Sequence, residues 1–390
     1  PASQYYLGGR SHLSDCSLPV QGIFSRVVEQ RQRQQNTMRT RITQLLGIRH
    51  PILLPGMSWI STPELVAAVS NAGGCGILAT GPLTAKQTRE SIRKIRSLTD
   101  KPFGIGATLL MPGATDNAEV ALEEEVPLIN FSLGKGDWIV ERVQKYGGKT
   151  LCTVVSEKHA KSAEAIGVDA LMVTGHEAAA HGGEVTSLCL IPAIAAKTNL
   201  PIVAAGGFAN GQGLMAAMSL GADAIAMGSR FATTQESPLA QTTKDAVVER
   251  SEADTIYSKN FDGLYARVMK TPAAIKATKS PTNPLVAAYN SFSAAQDFGI
   301  PLWKVIPGLL TQWDKMYMLS QFGGAMGAIQ AAQEGDLDNG VQFIGQSQGL
   351  ITDQPTVDEL VQRVIAEAEA AHALNHDRFL EGEEKARAAA

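Results

Sequence analysis

The chain has 390 residues, of which 44% are hydrophobic and 18% are charged, so it is long enough for one large domain or two smaller ones. Its 34 basic and 38 acidic residues give a net charge of −4, and no long basic block is present, which argues against nucleic acid as a partner. No run of about 18 uninterrupted apolar residues occurs, so the sequence predicts no membrane span.

The first 37 residues differ in composition from the rest of the chain. Residues 1–36 are rich in Ser, Arg and Gln, and Asp15 and Glu29 are their only acids. This composition is typical of the remnant of an organelle-targeting presequence, but a disordered extension is the favoured interpretation. We therefore leave the segment out of the fold prediction, and expect the protein in the cytoplasm, or in an organelle if the segment is a targeting remnant.

From Met38 onward, short apolar runs alternate with amphipathic helical stretches, which predicts a parallel sheet with helical crossovers. The predicted strands are Ile52–Leu54, Gly76–Ala79, Gly104–Leu109, Leu128–Phe131, Thr150–Val154, Ala170–Val173, Ile202–Ala205 and Ala224–Met227. The predicted helices are Pro63–Asn71, Ala85–Leu98, Ala118–Glu124, Trp138–Tyr146, Glu157–Ile166, Leu188–Lys197 and Gly211–Leu220. Eight such units favour a TIM (β/α)8 barrel over residues 38–250. A doubly wound sheet is the alternative, but no GxGxxG follows the first strand.

The alternation stops after Ser237. We predict a helix over Pro238–Arg250, and then a mostly helical insertion over residues 251–331 that covers one side of the barrel mouth. Residues 332–390 contain a polar glycine turn at Gly345–Gly349 and a closing helix over Thr356–Ala371, which begins with a Thr-x-x-Glu capping box.

Glycines end the last two predicted strands of the barrel. Gly206 and Gly207 follow the seventh strand, and Gly228 and Ser229 follow the eighth. Glycine turns at the carboxyl ends of these strands expose backbone N–H groups, and this is where TIM barrels commonly bind phosphate. The four residues therefore predict a site for a phosphorylated cofactor or substrate.

The loop after the first strand contains Gly56 and Met57. A glycine lets backbone approach a flat aromatic ring closely, and a Met thioether packs well against such a ring. An ordinary turn with a core Met is the alternative.

Two histidines lie in the loop after the sixth strand. Because histidine exchanges a proton near neutral pH, His181, which precedes two glycines, is the candidate catalytic residue; a hydrogen-bonded loop histidine is the alternative. His176 either orients His181 or packs, and Glu177 and Glu184 either support the loop or face solvent. The two histidines are five positions apart and do not share a helical face, so we predict no metal site.

A phosphate site, a loop suited to a flat ring and a nearby histidine together suggest a barrel that binds FMN. The four cysteines show no CxxC spacing, which predicts buried, reduced thiols. No GxSxG motif is present, so nucleophilic hydrolysis has little support.

Several motifs together resemble the nitronate monooxygenase family, formerly called 2-nitropropane dioxygenases. They are Pro51–Met57, Glu177–Gly182, Pro201–Gly211, Gly221–Phe231, Gly335–Asn339 and Gly345–Ile351. The resemblance extends from about Arg39 to Ala370, and the branch that includes bacterial NADH:quinone reductases has a similar carboxyl-terminal pattern.

This resemblance implies a TIM barrel that holds FMN non-covalently and oxidises alkyl nitronates with dioxygen. It implies that His181 lies near the reactive face of the flavin, where it handles a substrate proton or anchors the nitronate. The implied cofactor contacts are phosphate binding by Gly206, Gly207, Gly228 and Ser229, a loop beside the ring at Gly56 and Met57, and a turn that closes over the cofactor at Gln346 and Ser347.

Three positions depart from the related sequences. Gly106 stands where a polar amide is common, Thr153 where the quinone-reductase branch has a lysine, and His176 where that branch has an aromatic residue. The substrate therefore stays open between a nitronate and a quinone or enoyl compound reduced with NAD(P)H. A non-catalytic flavin-binding protein and a colourless isomerase are further alternatives, and the sequence leaves the oligomeric state undetermined.

Overall fold

The computed structural model describes residues 38–179, 181–279 and 325–389. The chain separates into Pro1–Met38 and Arg39–Ala390, and the fold described below belongs to the second unit. The predicted leader over residues 1–37 lies outside the described residues, and so does most of the predicted insertion.

Eight parallel strands close into a barrel in chain order, with β1 paired to both β2 and β8. They are β1 (Ile52–Leu54), β2 (Cys75–Ala79), β3 (Gly104–Thr108), β4 (Leu128–Ser132), β5 (Lys149–Val154), β6 (Ala170–Thr174), β7 (Ile202–Ala205) and β8 (Ala224–Ala226). The register that closes the barrel sets Ile52 opposite Ile225 and Leu53 opposite Ala226. The predicted TIM barrel is confirmed.

Helices follow the barrel strands, and one further helix precedes β1. They are α1 (Arg41–Leu46), α2 (Pro63–Asn71), α3 (Ala85–Leu98), α4 (Ala114–Glu123), α5 (Asp137–Lys145), α6 (Glu157–Ala165), α7 (Ser187–Ala195), α8 (Gly211–Ser219), α9 (Ser229–Ala232), α10 (Gln241–Val248), α11 (Pro272–Lys279) and α12 (Val357–Ala389). Among the described helices, none combines the length and the apolar composition needed to cross a bilayer.

Apolar side chains from the strands fill the inside of the barrel. Leu53, Ile77, Leu151 and Val203 belong to this cluster, and each is almost fully buried. Because helices cover the outer face as well, the strands are buried on both sides and appear in the sequence as nearly continuous apolar runs. This double burial is why the strands could be located without knowledge of the tertiary structure.

A two-stranded antiparallel hairpin follows the barrel, formed by β9 (Thr255–Ser258) and β10 (Ala266–Met269). The hairpin is absent from the sequence prediction, which expects mostly helix after Ser251. All residues of β9 are only partly buried, so the strand has no run of core residues to reveal it. Helical structure resumes at Pro272–Lys279 and over residues 325–333.

The carboxyl-terminal part returns to the barrel. A 3-10 helix spans Gln346–Leu350 where a glycine turn is predicted, and α12 runs well beyond the predicted end at Ala371. Thr356 caps α12 as predicted, because its hydroxyl accepts from the backbone N–H of Glu359 and the Glu359 carboxylate accepts from the backbone N–H of Thr356. The helix packs on α8, where the amide of Gly211 donates to Glu367 over 2.8 Å.

Candidate functional site

A cavity of about 990 Å³ opens at the carboxyl ends of the barrel strands. All eight strands or the loops that follow them contribute to its wall, beginning with Pro55 after β1 and ending with Ala226 in β8. Ligand pockets generally measure about 300–1,000 Å³. The cavity therefore has room for a cofactor and a second molecule together.

The glycines after β7 have a backbone conformation that suits glycine alone. Gly206 and Gly207 have φ angles of 96° and 87°, and both line the cavity. A Cβ on Gly206 would lie 3.0 Å from the carbonyl oxygen of Gly175, so this position also lacks space for a side chain. The predicted turn is present and leaves the backbone exposed to the cavity.

Backbone donors gather around these glycines. Ser229 is the first residue of α9 and lies beside Gly228 on the cavity wall, at a position where the helical N–H has no partner within its own helix. Between described residues, the amides of Gly207 and Ser229 do not donate in any turn or loop hydrogen bond. These donors can therefore bind an anionic oxygen such as that of a phosphate. We call this part of the cavity wall, formed by Gly206, Gly207, Gly228 and Ser229, the glycine corner.

The turn at residues 345–347 fastens onto this corner of the cavity. The amide of Gly345 donates to the Ser229 hydroxyl over 2.9 Å, and the amide of Gln346 donates to the carbonyl of Glu177 over 2.9 Å. Ser347 is buried and lines the cavity, whereas Gln346 is outside the cavity wall. The two residues predicted to close over a cofactor thus separate into one at the cavity and one that holds the turn through its backbone.

Next to the glycine corner, the loop after β1 and a glycine of β3 expose backbone on the cavity wall. A Cβ on Gly56 would lie 3.7 Å from the Cα of Gly106, and both glycines line the cavity. The Met57 sulfur lies in contact range of the Cβ that Gly228 lacks, at 3.5 Å. Ser61 supports the loop, because its hydroxyl accepts from the Met57 amide and donates to the Pro55 carbonyl. A planar ring fits against this surface.

His181 lines the cavity, and its side chain is 30% exposed. Its Nε2 lies 2.7 Å from Oδ2 of Asp262, whose side chain is only 1% exposed. The other carboxylate oxygen of Asp262 accepts from the amide of Leu264 over 3.2 Å. Asp262 lies in the loop between β9 and β10, 81 positions after His181. Sequence reasoning missed it because no local pattern connects residues so far apart.

No hydrogen bond or ring contact joins His176 to His181, and His176 lies outside the cavity wall. Its Nδ1 donates to the carbonyl of Gly183 over 2.9 Å, and its ring packs edge-on against Tyr257 with centroids 4.5 Å apart. Of the two roles open to it, the structure shows packing.

Of the two acidic residues in the same loop, one holds the start of a helix and the other faces solvent. The Glu177 carboxylate accepts from the amide and the hydroxyl of Ser187 at the start of α7, over 2.9 Å and 3.0 Å. Glu184 is exposed. Neither residue lines the cavity.

A polar pair lies where β4 and β5 meet the cavity. The Thr153 hydroxyl donates to Oδ1 of Asn130 over 3.0 Å, and both residues line the wall. Asn130 was missed in the sequence because it lies inside an otherwise apolar strand. The pair offers neutral hydrogen-bonding groups to a ligand in the cavity.

The cavity wall includes solvent-exposed residues from the chain that follows β4 and β5, and we call this side of the cavity its open end. Lys135, His159 and Ser162 line this end and are exposed. In a barrel closed in chain order, β4 lies across the mouth from β8. The open end therefore faces away from the glycine corner, and a bound molecule can reach across the whole mouth.

The cysteines differ in exposure. Burial raises the pKa of Cys75 to about 12 and that of Cys152 to about 11, so both stay protonated at neutral pH. Cys189 is exposed on α7, contrary to the expectation of buried thiols, and Cys16 lies outside the described residues. Cys152 lines the cavity, but its raised pKa makes it a poor nucleophile.

A family model described as nitronate monooxygenase matches residues 39–135 and 115–367. The chain belongs to the nitronate monooxygenase family. The resemblance seen in the sequence motifs is thereby confirmed, and the protein is an oxidoreductase of this family, whose members are generally flavin-dependent.

Curated relatives include two different activities. The chain is 33% identical over 342 residues to (3aS,4S,5R,7aS)-5-hydroxy-7a-methyl-1-oxo-octahydro-1H-indene-4-carboxyl-CoA dehydrogenase of Rhodococcus jostii. The aligned region covers 85% of this chain and 96% of that protein. It is 29% identical over 275 residues to a probable nitronate monooxygenase of Staphylococcus aureus, and this aligned region covers 59% of this chain and 78% of that protein.

Solved structures show the same architecture. FabK from Thermotoga maritima superposes with a TM-score of 0.73 at 34% identity, over 88% of this chain and 100% of that chain. Nitroalkane oxidase from Streptomyces ansochromogenes superposes with a TM-score of 0.71 at 24% identity, over 85% of this chain and 99% of that chain. The second similarity shows a shared fold.

Proposed function

We propose that this protein is an FMN-dependent oxidoreductase that acts on a coenzyme A thioester. One observation carries the proposal: the cavity runs from the glycine corner, across the barrel mouth, to an open end beside Lys135 and His159. A substrate as short as an alkyl nitronate does not need a cavity whose wall includes both sides of the barrel mouth. A flavin and the acyl end of a thioester together would use it, because the long coenzyme A tail could leave through the open end.

The closed end of the cavity fits FMN. The amides of Gly207 and Ser229 would hold the phosphate, with Gly206 and Gly228 leaving the backbone accessible. The wall formed by Gly56, Gly106 and Met57 would flank the ring, and Ser347 would close the corner. Bound flavin would supply hydride transfer.

The chain's own residues bind and orient the substrate. His181 lies on the same cavity and can take a proton from, or give one to, a substrate carbon next to a carbonyl. Asn130 and Thr153 offer hydrogen bonds to a polar substrate group. Apolar wall residues, among them Met57, Phe131 and Met172, exclude water from the reacting atoms.

The similarity to the Rhodococcus jostii carboxyl-CoA dehydrogenase supports this substrate class, because it extends over 96% of that protein. NAD(P)H or its oxidised form is the candidate partner for the flavin in such a reaction. We expect the substrate itself to be a small molecule.

Oxidation of alkyl nitronates with dioxygen is the second candidate. The family favours it, and so does the position of His181, where an imidazolium could bind an anionic nitronate. This reaction would use the inner part of the cavity and leave the open end without a role.

The test begins with the absorbance spectrum of the natively isolated protein and identification of the released flavin. Anaerobic titrations with NADH, with NADPH and with a panel of coenzyme A thioesters would then follow the flavin absorbance. Oxygen consumption with propyl nitronate would be measured in parallel.

Flavin reduction or reoxidation by a thioester would support the proposal. Turnover confined to nitronate and dioxygen would favour the second candidate instead. A protein that fails to bind FMN supplied in excess would contradict both.

A further inference from the structure

The environment of Asp262 connects the hairpin to the catalytic candidate. Asp262 is 1% exposed, and a buried carboxylate needs hydrogen-bond donors to remain ionised. The amide of Leu264 is one donor, and Nε2 of His181 is the other. Among the described residues, no lysine or arginine forms an ion pair with Asp262. The imidazole is therefore its main electrostatic partner.

This contact decides which ring nitrogen of His181 carries the proton. An ionised carboxylate only accepts hydrogen bonds, so Nε2 must donate its N–H to Asp262 in both the neutral and the protonated ring. The neutral ring then has its lone pair on Nδ1, which forms no hydrogen bond with the described residues. Nδ1 is left as the atom that exchanges a proton with a ligand in the cavity.

The hairpin also holds the chain on both sides of His181. The Tyr257 hydroxyl donates to the carbonyl of Gly182 over 3.0 Å. The guanidinium of Arg267, which is 4% exposed, donates to the carbonyl of His176 over 3.1 Å and 3.2 Å. The same hairpin that carries Asp262 thus fixes the loop that carries His181, and the ring and the carboxylate are positioned as one unit.

We propose that Asp262 is the positioning residue of His181, and that it directs Nδ1 toward the substrate as the atom that exchanges the proton. When Nδ1 removes a proton from a substrate carbon, the C–H electron pair stays on the substrate and the ring becomes an imidazolium. Asp262 then faces that positive charge and stabilises it. In the opposite direction, Nδ1–H returns the proton. The identity of the substrate rests on the proposed function, whereas the assignment of the ring nitrogens does not.

The assignment is tested by ¹⁵N NMR of the histidine side chains in protein without substrate, with the His181 signal identified by its loss in His181→Ala. We expect the neutral ring to carry its proton on Nε2. In Asp262→Asn this preference should weaken, because an amide can either accept from Nε2–H or donate to an unprotonated Nε2. A ring protonated on Nδ1 in the parent protein would overturn the proposal.

Kinetics supply the second measurement. Asp262→Asn should lower kcat on the order of 100-fold or more, with KM and flavin content close to the parent values. Asp254→Asn is the matched control, because Asp254 lies on the same segment but hydrogen-bonds to Ser251 outside the cavity, and it should leave kcat unchanged. An unchanged kcat in Asp262→Asn, or an equal loss in Asp254→Asn, would contradict the assignment.

The two proposals can fail separately. If no thioester reacts but the ring carries its proton on Nε2 and loses this preference in Asp262→Asn, the substrate proposal fails and the role of Asp262 is supported. Circular dichroism and flavin content of each variant show whether the protein is still folded, so that a change in the His181 tautomer is distinguished from unfolding.

Discussion

The amide of Gly345 donates a hydrogen bond of 2.9 Å to the hydroxyl of Ser229, across 116 positions of sequence. This bond joins the carboxyl-terminal turn to the glycine corner of the barrel, and both groups are buried. The phosphate-binding candidates after β7 and β8 are therefore supported by the carboxyl-terminal turn, which lies far beyond the last barrel strand in the sequence.

Ser229→Ala should destabilise this corner. The substitution leaves the buried amide of Gly345 without its acceptor, which typically costs about 1–3 kcal/mol in the free energy of unfolding. We expect weaker flavin binding in the same variant, measured by equilibrium dialysis beside a urea unfolding curve. Ser219→Ala is the control, because the Ser219 hydroxyl donates to the carbonyl of Met215 at an exposed position. A Ser229→Ala protein that matches this control in both measurements would contradict the role of the bond.

A side chain at Gly207 should release the cofactor. Gly207→Leu would add a bulky side chain beside the proposed phosphate site on a backbone with φ of 87°, and its Cβ would lie 3.4 Å from Glu177. We expect flavin content after native purification to fall to a small fraction of the parent value. Gly147→Leu is the matched control, because Gly147 has a φ of 80° but an added Cβ meets nothing within 4 Å. It reports the cost of the backbone strain without loss of flavin, and retention of flavin in Gly207→Leu would exclude this corner as the phosphate site.

His181→Ala should retain flavin and lose activity on the order of 100-fold, the usual scale for a removed acid–base group. The measurement is kcat with the best substrate, normalised to flavin content. His372→Ala is the control, because His372 is exposed on α12. Undiminished turnover in His181→Ala would remove this histidine from the mechanism.

The buried His50 should make the protein sensitive to acid. It is fully buried before β1, and burial, aided by the charge of Arg49, lowers its pKa to about 4 from 6.5. Because the unfolded chain binds the proton more readily, the stabilising contribution is complete above pH 6.5 and is lost as the pH falls toward 4. A shift of this size corresponds to roughly 3 kcal/mol.

His50→Gln should therefore reduce the change in unfolding free energy between pH 7 and pH 4.5, as followed by urea unfolding at both values. His372→Gln, at an exposed position, should leave that change as it is in the parent protein. Equal pH dependence in parent and His50→Gln would show that His50 is not the group responsible.

The barrel could be predicted closely because its signals are local. The strand Ile202–Ala205 was located with both ends correct, since its residues are all buried. Helix α4 was predicted to begin at Ala118, whereas it begins at Ala114. Its first residue follows Gly113, which has a φ of 76° and offers no capping side chain, so the usual signal for a helix start is missing.

Part of the cavity wall could be predicted for the same reason. Glycine turns at strand ends are local, so Gly206, Gly207 and Gly228 could be found and the structure places all three on the cavity wall. Gln346 was expected at the cofactor and lies outside that wall, because only the packing of the turn decides which of its residues faces inward.

The amino-acid sequence by itself determined the eight-fold alternation, the glycine corner and the loop that holds His181, since each depends on residues adjacent along the chain. Only the tertiary structure decided that Asp262 meets His181 and that His176 turns away toward Tyr257. These contacts depend on how a hairpin packs on the barrel mouth, and the free energy of that packing is spread over many distant residues that leave no periodic pattern.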